Sequence, residues 1–229
     1  MSKLKVGVPA LVALLAITAV SAAAAQAAPN WTVNGTALGS GTSEGIKESA
    51  TVTKFGGEAA PAIKIVFPAL WTISCTTLGV EKGTITGPNL DSADALVFSG
   101  CGLEGSNGEQ TVCRVTTGGI PGTIATVPLS SELKRNASLE TFDYLTPASG
   151  TSLFTLLIEH CGVSGEWEYE GTIAIKPEYN TNAVSLGFTG SKAIAAASGA
   201  SIAIGAQTGY LQGAFDLELS SGSTWGVTP

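Results

Sequence analysis

The sequence predicts an all-β domain, an antiparallel β-sandwich or flattened barrel stapled by two disulfides, and three observations carry that expectation. Short runs of alternating or β-branched residues recur along the chain, and glycine, proline, asparagine and serine separate them. Four cysteines, an even number, lie within or beside those runs at Cys75, Cys101, Cys113 and Cys161. Helical periodicity is almost absent.

Taken in order, the candidate strands begin with Trp31–Val33, Ala50–Phe55, Ala62–Phe67 and Thr72–Thr76, where apolar or β-branched residues alternate with small or polar ones. Gly83–Thr86 and Ala95–Gly100 follow, then Thr111–Thr116, Gly122–Thr126, Leu153–His160 and Glu166–Ile175. The last group is Ala183–Phe188, Ser201–Ile204, Gly213–Leu219 and Thr224–Val227. Between them, Ser130–Asn136 is the most polar run in the chain and reads as a long turn, within the best internal boundary at Pro128–Thr146. The stretch Ser191–Ala206 is rich in alanine, glycine and serine; Gly199 and Gly205, interleaved with Ile202 and Ile204, favour a weak strand pair there. Many short strands with turns between them point to a sandwich or a barrel.

Four cysteines allow three pairings. Cys101 and Cys113 flank a hairpin candidate turning at Asn107-Gly108, which favours Cys101–Cys113 and leaves Cys75–Cys161 as a long-range staple. The long bridge would cross the internal boundary, so residues 28–229 are read as one domain.

The first 27 residues read as a secretory signal peptide. Lys3 and Lys5 supply a positive start, and Val6–Val20 is almost wholly apolar yet short for a bilayer span. Ala25-Gln26-Ala27 fits the small-x-small rule, which places cleavage after Ala27. The final residues, from Gly222 to Pro229, form no apolar anchor. The expected destination is therefore extracellular, with no membrane span after cleavage. An oxidising compartment agrees with paired cysteines.

The chain carries 11 basic and 18 acidic residues; without Lys3 and Lys5 the count is 9 against 18, a net charge of −9. So acidic a chain, poor in lysine and arginine, lacks the electrostatic footprint of a nucleic-acid or anionic-membrane partner. Charged residues are only 13% of the sequence, which suits a lightly charged extracellular surface.

Candidate chemistry is sparse. Glu166-Trp167-Glu168-Tyr169-Glu170 is the most suggestive group: on a strand, Glu166, Glu168 and Glu170 share one face, with Trp167, Tyr169, Ile173 and Ile175 on the other. Alternating carboxylates resemble the arrangement of jelly-roll glycoside hydrolases, where one acid is the nucleophile and another protonates the leaving group. Their central acid, however, is an aspartate, and here the aromatic residues that would stack on sugar lie on the face opposite the acids. An amphipathic strand, acidic outside and aromatic inside, explains the same pattern.

His160 is the only histidine. It alternates with Phe154, Leu156 and Ile158, which places it at the end of a buried face beside Cys161 as a strand-capping residue. No Gly-x-Ser-x-Gly elbow accompanies it. The absence of Cys/His pairs at metal-ligand spacing and of a phosphate loop predicts no metal and no cofactor. Of the four tryptophans, Trp71 and Trp167 alternate with core positions, while Trp31 and Trp225, near the two ends of the mature chain, are expected to pack together. Asn30-Trp31-Thr32, Asn34-Gly35-Thr36 and Asn136-Ala137-Ser138 are glycosylation sequons that matter only in a eukaryotic secretory route.

Several phrases are similar to those of a family of uncharacterised secreted proteins common in soil actinobacteria. They are Ile73-Ser74-Cys75, Gly83-Thr84-Ile85-Thr86-Gly87-Pro88, Val97-Phe98-Ser99-Gly100-Cys101, Cys113 and Gly122-Thr123-Ile124-Ala125-Thr126-Val127-Pro128-Leu129. Pro147-Ala148-Ser149-Gly150-Thr151-Ser152-Leu153-Phe154, Cys161 and Trp225-Gly226-Val227 complete the resemblance, which runs in order over most of the mature chain. It implies an exported β-protein, carries over no functional residue, and argues against a eukaryotic route.

The functional expectation is a secreted, non-enzymatic structural or surface-interaction protein whose partner is a cell surface or extracellular polymer. A glycan- or small-ligand-binding domain is the second reading, and a glycoside hydrolase using Glu166, Glu168 or Glu170 the third.

Overall fold

The computed structural model describes residues 28–47, 49–50, 63–104, 112–177, 185–190 and 196–228. The proposed signal segment 1–27, the Asn107-Gly108 turn and most of the Ala50–Phe55 candidate strand lie outside them.

Strands β1 (Trp31–Val33) and β2 (Thr36–Ala37) open the chain as a hairpin turning at Asn34-Gly35. Both turn residues have positive φ, 51° and 74°, the geometry that asparagine and glycine accept and that matches strand twist. Strands β3 (Ser43–Gly45) and β4 (Ser49–Ala50) precede the antiparallel pair β5 (Ile63–Phe67) and β6 (Trp71–Cys75). Strands β7 (Thr77–Glu81), β8 (Thr84–Thr86), β9 (Leu90–Ala93), β10 (Ala95–Ser99) and β11 (Gly102–Glu104) follow with few residues between them. Next come β12 (Arg114–Thr116), β13 (Thr123–Ala125) and the longer β14 (Leu129–Arg135), β15 (Thr141–Pro147), β16 (Ser152–Glu159) and β17 (Gly165–Gly171). The chain ends with β18 (Ile173–Pro177), β19 (Ser185–Gly190), β20 (Ile202–Ile204), β21 (Gln207–Glu218) and β22 (Trp225–Val227).

Pairing arranges most of these strands in two broad sheets. One runs β3-β8-β9-β14-β15-β18-β19-β21, and the other β4-β7-β10-β13-β12-β16-β17-β20-β21. All pairs are antiparallel except the single β12–β13 contact. The twelve-residue β21 belongs to both sheets: Gly209 pairs with Ile202 of β20, Tyr210 with Val66 of β5, and its last six residues with β19. At the far end, Ile46 bridges Leu219 and the Lys47 amide donates to the Glu218 carbonyl, between β3 and β4. The hydrogen-bond ladder thus returns to β21, and the fold is a flattened barrel with its two faces pressed together.

Tight corners carry the chain from one face to the other: Lys82-Gly83 between β7 and β8, Asp94 between β9 and β10, and Thr172 between β17 and β18. Such corners are how orthogonally packed sheets exchange strands. At the last one Gly171 has φ 111°, and a Cβ there would lie 2.3 Å from the Ser201 carbonyl oxygen. The predicted strand Glu166–Ile175 is therefore broken in two, and its halves serve different sheets.

A continuous core fills the space between the faces, from Trp31 near one end of the chain to Val227 near the other. Strand alternation explains it directly. In β5 the inward residues Ile63, Ile65 and Phe67 are buried while Lys64 and Val66 are half-exposed, the period-two pattern of a strand with one dry face. Trp31 and Trp225 meet with ring centroids 5.5 Å apart, where β1 pairs with β22. A third, smaller layer, β5-β6-β11, covers the inner face of β16 and β17.

The long-turn expectation is corrected. The polar run Ser130–Asn136 is not a turn: nearly all of it is β14, paired to β9 on one side and β15 on the other. Its Ser131 and Leu133 are buried, and its outward-facing residues, exposed Ser130 and Lys134 with half-buried Glu132, give the run its polar look. In the segment Ser191–Ala206, residues 196–198 form a helical turn, and Ile202–Ile204 is a strand that pairs with β21 and β17; residues 191–195 lie outside the described residues.

The disulfides also differ from expectation. They are Cys75–Cys101, with Cα atoms 4.0 Å apart, and Cys113–Cys161, with Cα atoms 5.2 Å apart. Among the described residues β11 pairs with β6 and β12 pairs with β16, not with each other as the pairing Cys101–Cys113 would need. Gly102 opposite Ser74 brings Cys101 beside Cys75, and Arg114 opposite Glu159 brings Cys113 towards Cys161.

Candidate functional site

The structure separates the residues of the acidic strand as its alternation demands. Glu166, Glu168 and Glu170 are exposed on the outer face of β17, and Glu170 accepts a hydrogen bond from the Thr151 hydroxyl at 2.9 Å. Tyr169 on the inner face is fully buried. It stacks on Phe154 at 4.4 Å, meets the edge of Phe67 at 5.3 Å, and accepts a hydrogen bond from Trp71 Nε1 at 3.1 Å. Trp167, half-buried, lies edge-to-face with Trp71 at 4.9 Å. Acids and aromatic rings therefore do not share a cleft, because the strand itself stands between them. Glu168→Gln is expected to change stability by no more than about 0.5 kcal/mol, measured by denaturant unfolding, as for an exposed side chain away from caps and networks.

His160 departs from its expected place. The strand stops at Glu159, and His160 turns away with φ 61° and its side chain exposed. A left-handed backbone breaks the alternation that would have turned the ring inward.

The sequon asparagines are built into turns. Asn34 Oδ1 accepts from the Thr224 amide and hydroxyl, both at 3.2 Å. Asn136 Oδ1 accepts from the amides of Ser138 and Glu140, both at 2.9 Å, and its amide nitrogen donates to the Ala197 carbonyl at 3.1 Å.

The most unusual polar group in the molecule was not among the residues singled out from sequence. Asp91 of β9, Ser131 of β14 and Asp143 of β15 lie in an oblique row on the inner face of the first sheet. Ser131 is directly opposite Asp91 across the β9–β14 pair, and Asp143 pairs with Leu133, one inward step along β14 from Ser131. Asp143 is 3% exposed and Ser131 5% exposed, while Asp91 keeps part of its surface at the rim. The Ser131 hydroxyl contacts both carboxyl groups, Asp91 Oδ1 and, at 2.5 Å, Asp143 Oδ1.

Burial dominates the electrostatics of this row. Desolvation pushes the Asp91 carboxyl up to about 6, against the lowering effect of its hydrogen bonds to Ser131 and Asp143. Desolvation, reinforced by the neighbouring charge of Asp91, holds Asp143 well above the usual carboxylate range. The two acids border a small cavity of about 30 Å³, otherwise walled mainly by apolar side chains such as Ile85, Leu96, Leu145 and Ile175. That volume holds about two waters.

No protein-family model, curated protein or solved structure matches this chain.

Chemically, the row can store a proton and pass it between two carboxylates through a hydroxyl. Among the described residues, no three or more His, Cys, Asp or Glu side chains gather to hold an ion. Among the same residues, no helix is long and apolar enough to cross a membrane. The sequence signal that would have located the acid row is the inward alternation Leu129, Ser131, Leu133 facing Asp143, Leu145. It is legible only once the polar run is recognised as a strand.

Proposed function

We propose that this protein is exported and works outside the cytoplasm as a non-enzymatic structural or surface-interaction domain, of the kind its resemblance to secreted actinobacterial proteins implies. The observation that carries this reading is the split within β17, with acids on an open outer face and stacking aromatics turned into the core. That division suits a sheet presenting a polar outer surface to a partner, and it leaves the acids with none of the β17 aromatics beside them on their own face. The two disulfides support an oxidising compartment. The signal-like segment before Ala28 supports export.

A second reading, an extracellular glycan-binding domain, draws on Trp71 and Trp167. Both rings keep part of their surface at the solvent, next in sequence to the exposed Leu70 for Trp71, and an exposed aromatic edge is a usual contact for sugar.

Binding of the purified oxidised protein to a panel of glycans and cell-wall polymers, with product analysis, tests these readings. Retention on a polymer without chain cleavage is expected. Retention lost in Trp71→Ala but kept in Glu168→Gln identifies the glycan-binding reading. Release of sugar that Glu168→Gln abolishes overturns the non-enzymatic one.

A further inference from the structure

A serine hydroxyl has one proton to donate. Ser131 faces two carboxyl groups, Asp91 on one side and Asp143 on the other. Two carboxylates and one hydroxyl cannot satisfy these contacts with a single hydrogen; one acid must supply another.

Among the described residues, no cationic side chain lines the cavity beside that row. The side chains facing the row from the packed elements are Ile46, Val80 of β7, Ile85 of β8, Leu96 of β10, Ile175 of β18 and Leu217 of β21. Among the described residues lining the cavity, each acid is the only titratable group facing the other. The nearby charges on the same elements, Glu132 and Lys134 of β14, Lys176 of β18, and Lys82 and Asp94 at the corners, are solvent-exposed and occupied in ion pairs at the surface.

We propose that Asp91, Ser131 and Asp143 form an acid latch: a proton shared through the row holds β9, β14 and β15 together, and its loss towards alkaline pH leaves two like charges in the interior and loosens this sheet. The proposal is independent of what the outer surface binds. Its direction follows from linkage. In the folded chain both acids keep their protons to a higher pH than in the unfolded chain, where they titrate near 3.8. The contribution is fully present below that value. It is lost as pH rises through about 6 for Asp91, and Asp143, raised by burial, acts in the same direction. Each proton difference raises the unfolding constant by up to about tenfold per pH unit within its window. Glu140 acts in the opposite sense, since its hydrogen bond to Lys176 lowers it, but only below its ordinary value.

The test is thermal unfolding of the oxidised protein at constant ionic strength between about pH 5 and about pH 8, a range that takes in the upper part of the Asp91 window and leaves Glu140 ionised. The midpoint is expected to fall as pH rises. Asp143→Asn, which keeps the side-chain shape, is expected to flatten that slope and to unfold at a higher temperature than wild type at the alkaline end. A wild-type midpoint that stays level or climbs, or an Asp143→Asn protein with an unchanged slope, overturns the latch. Should Asp143→Asn not fold, infrared spectroscopy of the wild type decides. A protonated-carboxyl band persisting at neutral pH and bleaching at alkaline pH supports the proposal, and its absence at neutral pH refutes it.

Discussion

Replacing Tyr169 with alanine is expected to destabilise the protein by about 3–5 kcal/mol, the range for deleting a large buried aromatic side chain. The ring is fully buried between Phe154 and Phe67, and its hydroxyl accepts a hydrogen bond from the Trp71 indole N–H. Alanine would leave a cavity where the β5–β6 layer meets β16 and β17, and would remove the partner of a half-buried indole. Tyr169→Phe separates the two effects. It keeps the stacking and loses only the hydrogen bond, so it should cost about 1 kcal/mol. Denaturant unfolding of both variants checks the ordering; equal losses would show that the hydroxyl, rather than the ring packing, holds this junction. Since domains are stable by only about 5–15 kcal/mol, the alanine variant should sit near the threshold of folding at ambient temperature.

The second large effect concerns the covalent staples. Removing Cys75–Cys101 by paired alanine substitution is expected to cost roughly 3.5 kcal/mol, and removing Cys113–Cys161 roughly 4 kcal/mol, from the entropy of freeing loops of those lengths. The sequence separations are 26 and 48 residues. Accessibility also differs between the two. Cys75 and Cys101 are buried, while Cys113 and Cys161 are half-buried against the core edge. A mild thiol reductant should therefore open Cys113–Cys161 first. Alkylation followed by peptide mapping reads both the pairing and the order, and a peptide joining Cys101 to Cys113 would refute the described connectivity.

How far the sequence discloses this molecule depends on whether a feature is local. The face assignment of Glu166, Glu168 and Glu170 against Tyr169 needs only the two-residue period of a strand, and it is readable at once. So is the meeting of Trp31 with Trp225, because large apolar residues near both ends of a compact chain need the same shelter. Disulfide pairing is not local. It depends on β11 choosing β6, and β12 choosing β16, over each other, a choice made by long-range register that no nearby turn announces. The acid row is hidden for a different reason. Its strand has Ser131 at an inward position and charged neighbours at outward ones, so the period-two apolar signal fades and the stretch resembles a turn. His160 misleads in the opposite direction, since a regular alternation continues in the sequence past the point where the backbone has already turned.

The β1–β22 pairing places distant parts of the chain side by side. Asn30 and Thr228, 198 positions apart in sequence, exchange hydrogen bonds: the Asn30 amide donates to the Thr228 hydroxyl at 3.0 Å, and the Thr228 amide to the Asn30 carbonyl at 2.8 Å. A tensile load applied between these residues would pull across the rungs of an antiparallel ladder, not along it. The rungs would then break singly, starting with the one nearest the load, and the strain would reach the Trp31–Trp225 contact before the disulfide-bonded strands. Tethered through this end, the molecule would yield like a zip; gripped across its long strands, it would have to shear many bonds together. Its mechanical strength is thus a matter of where it is held.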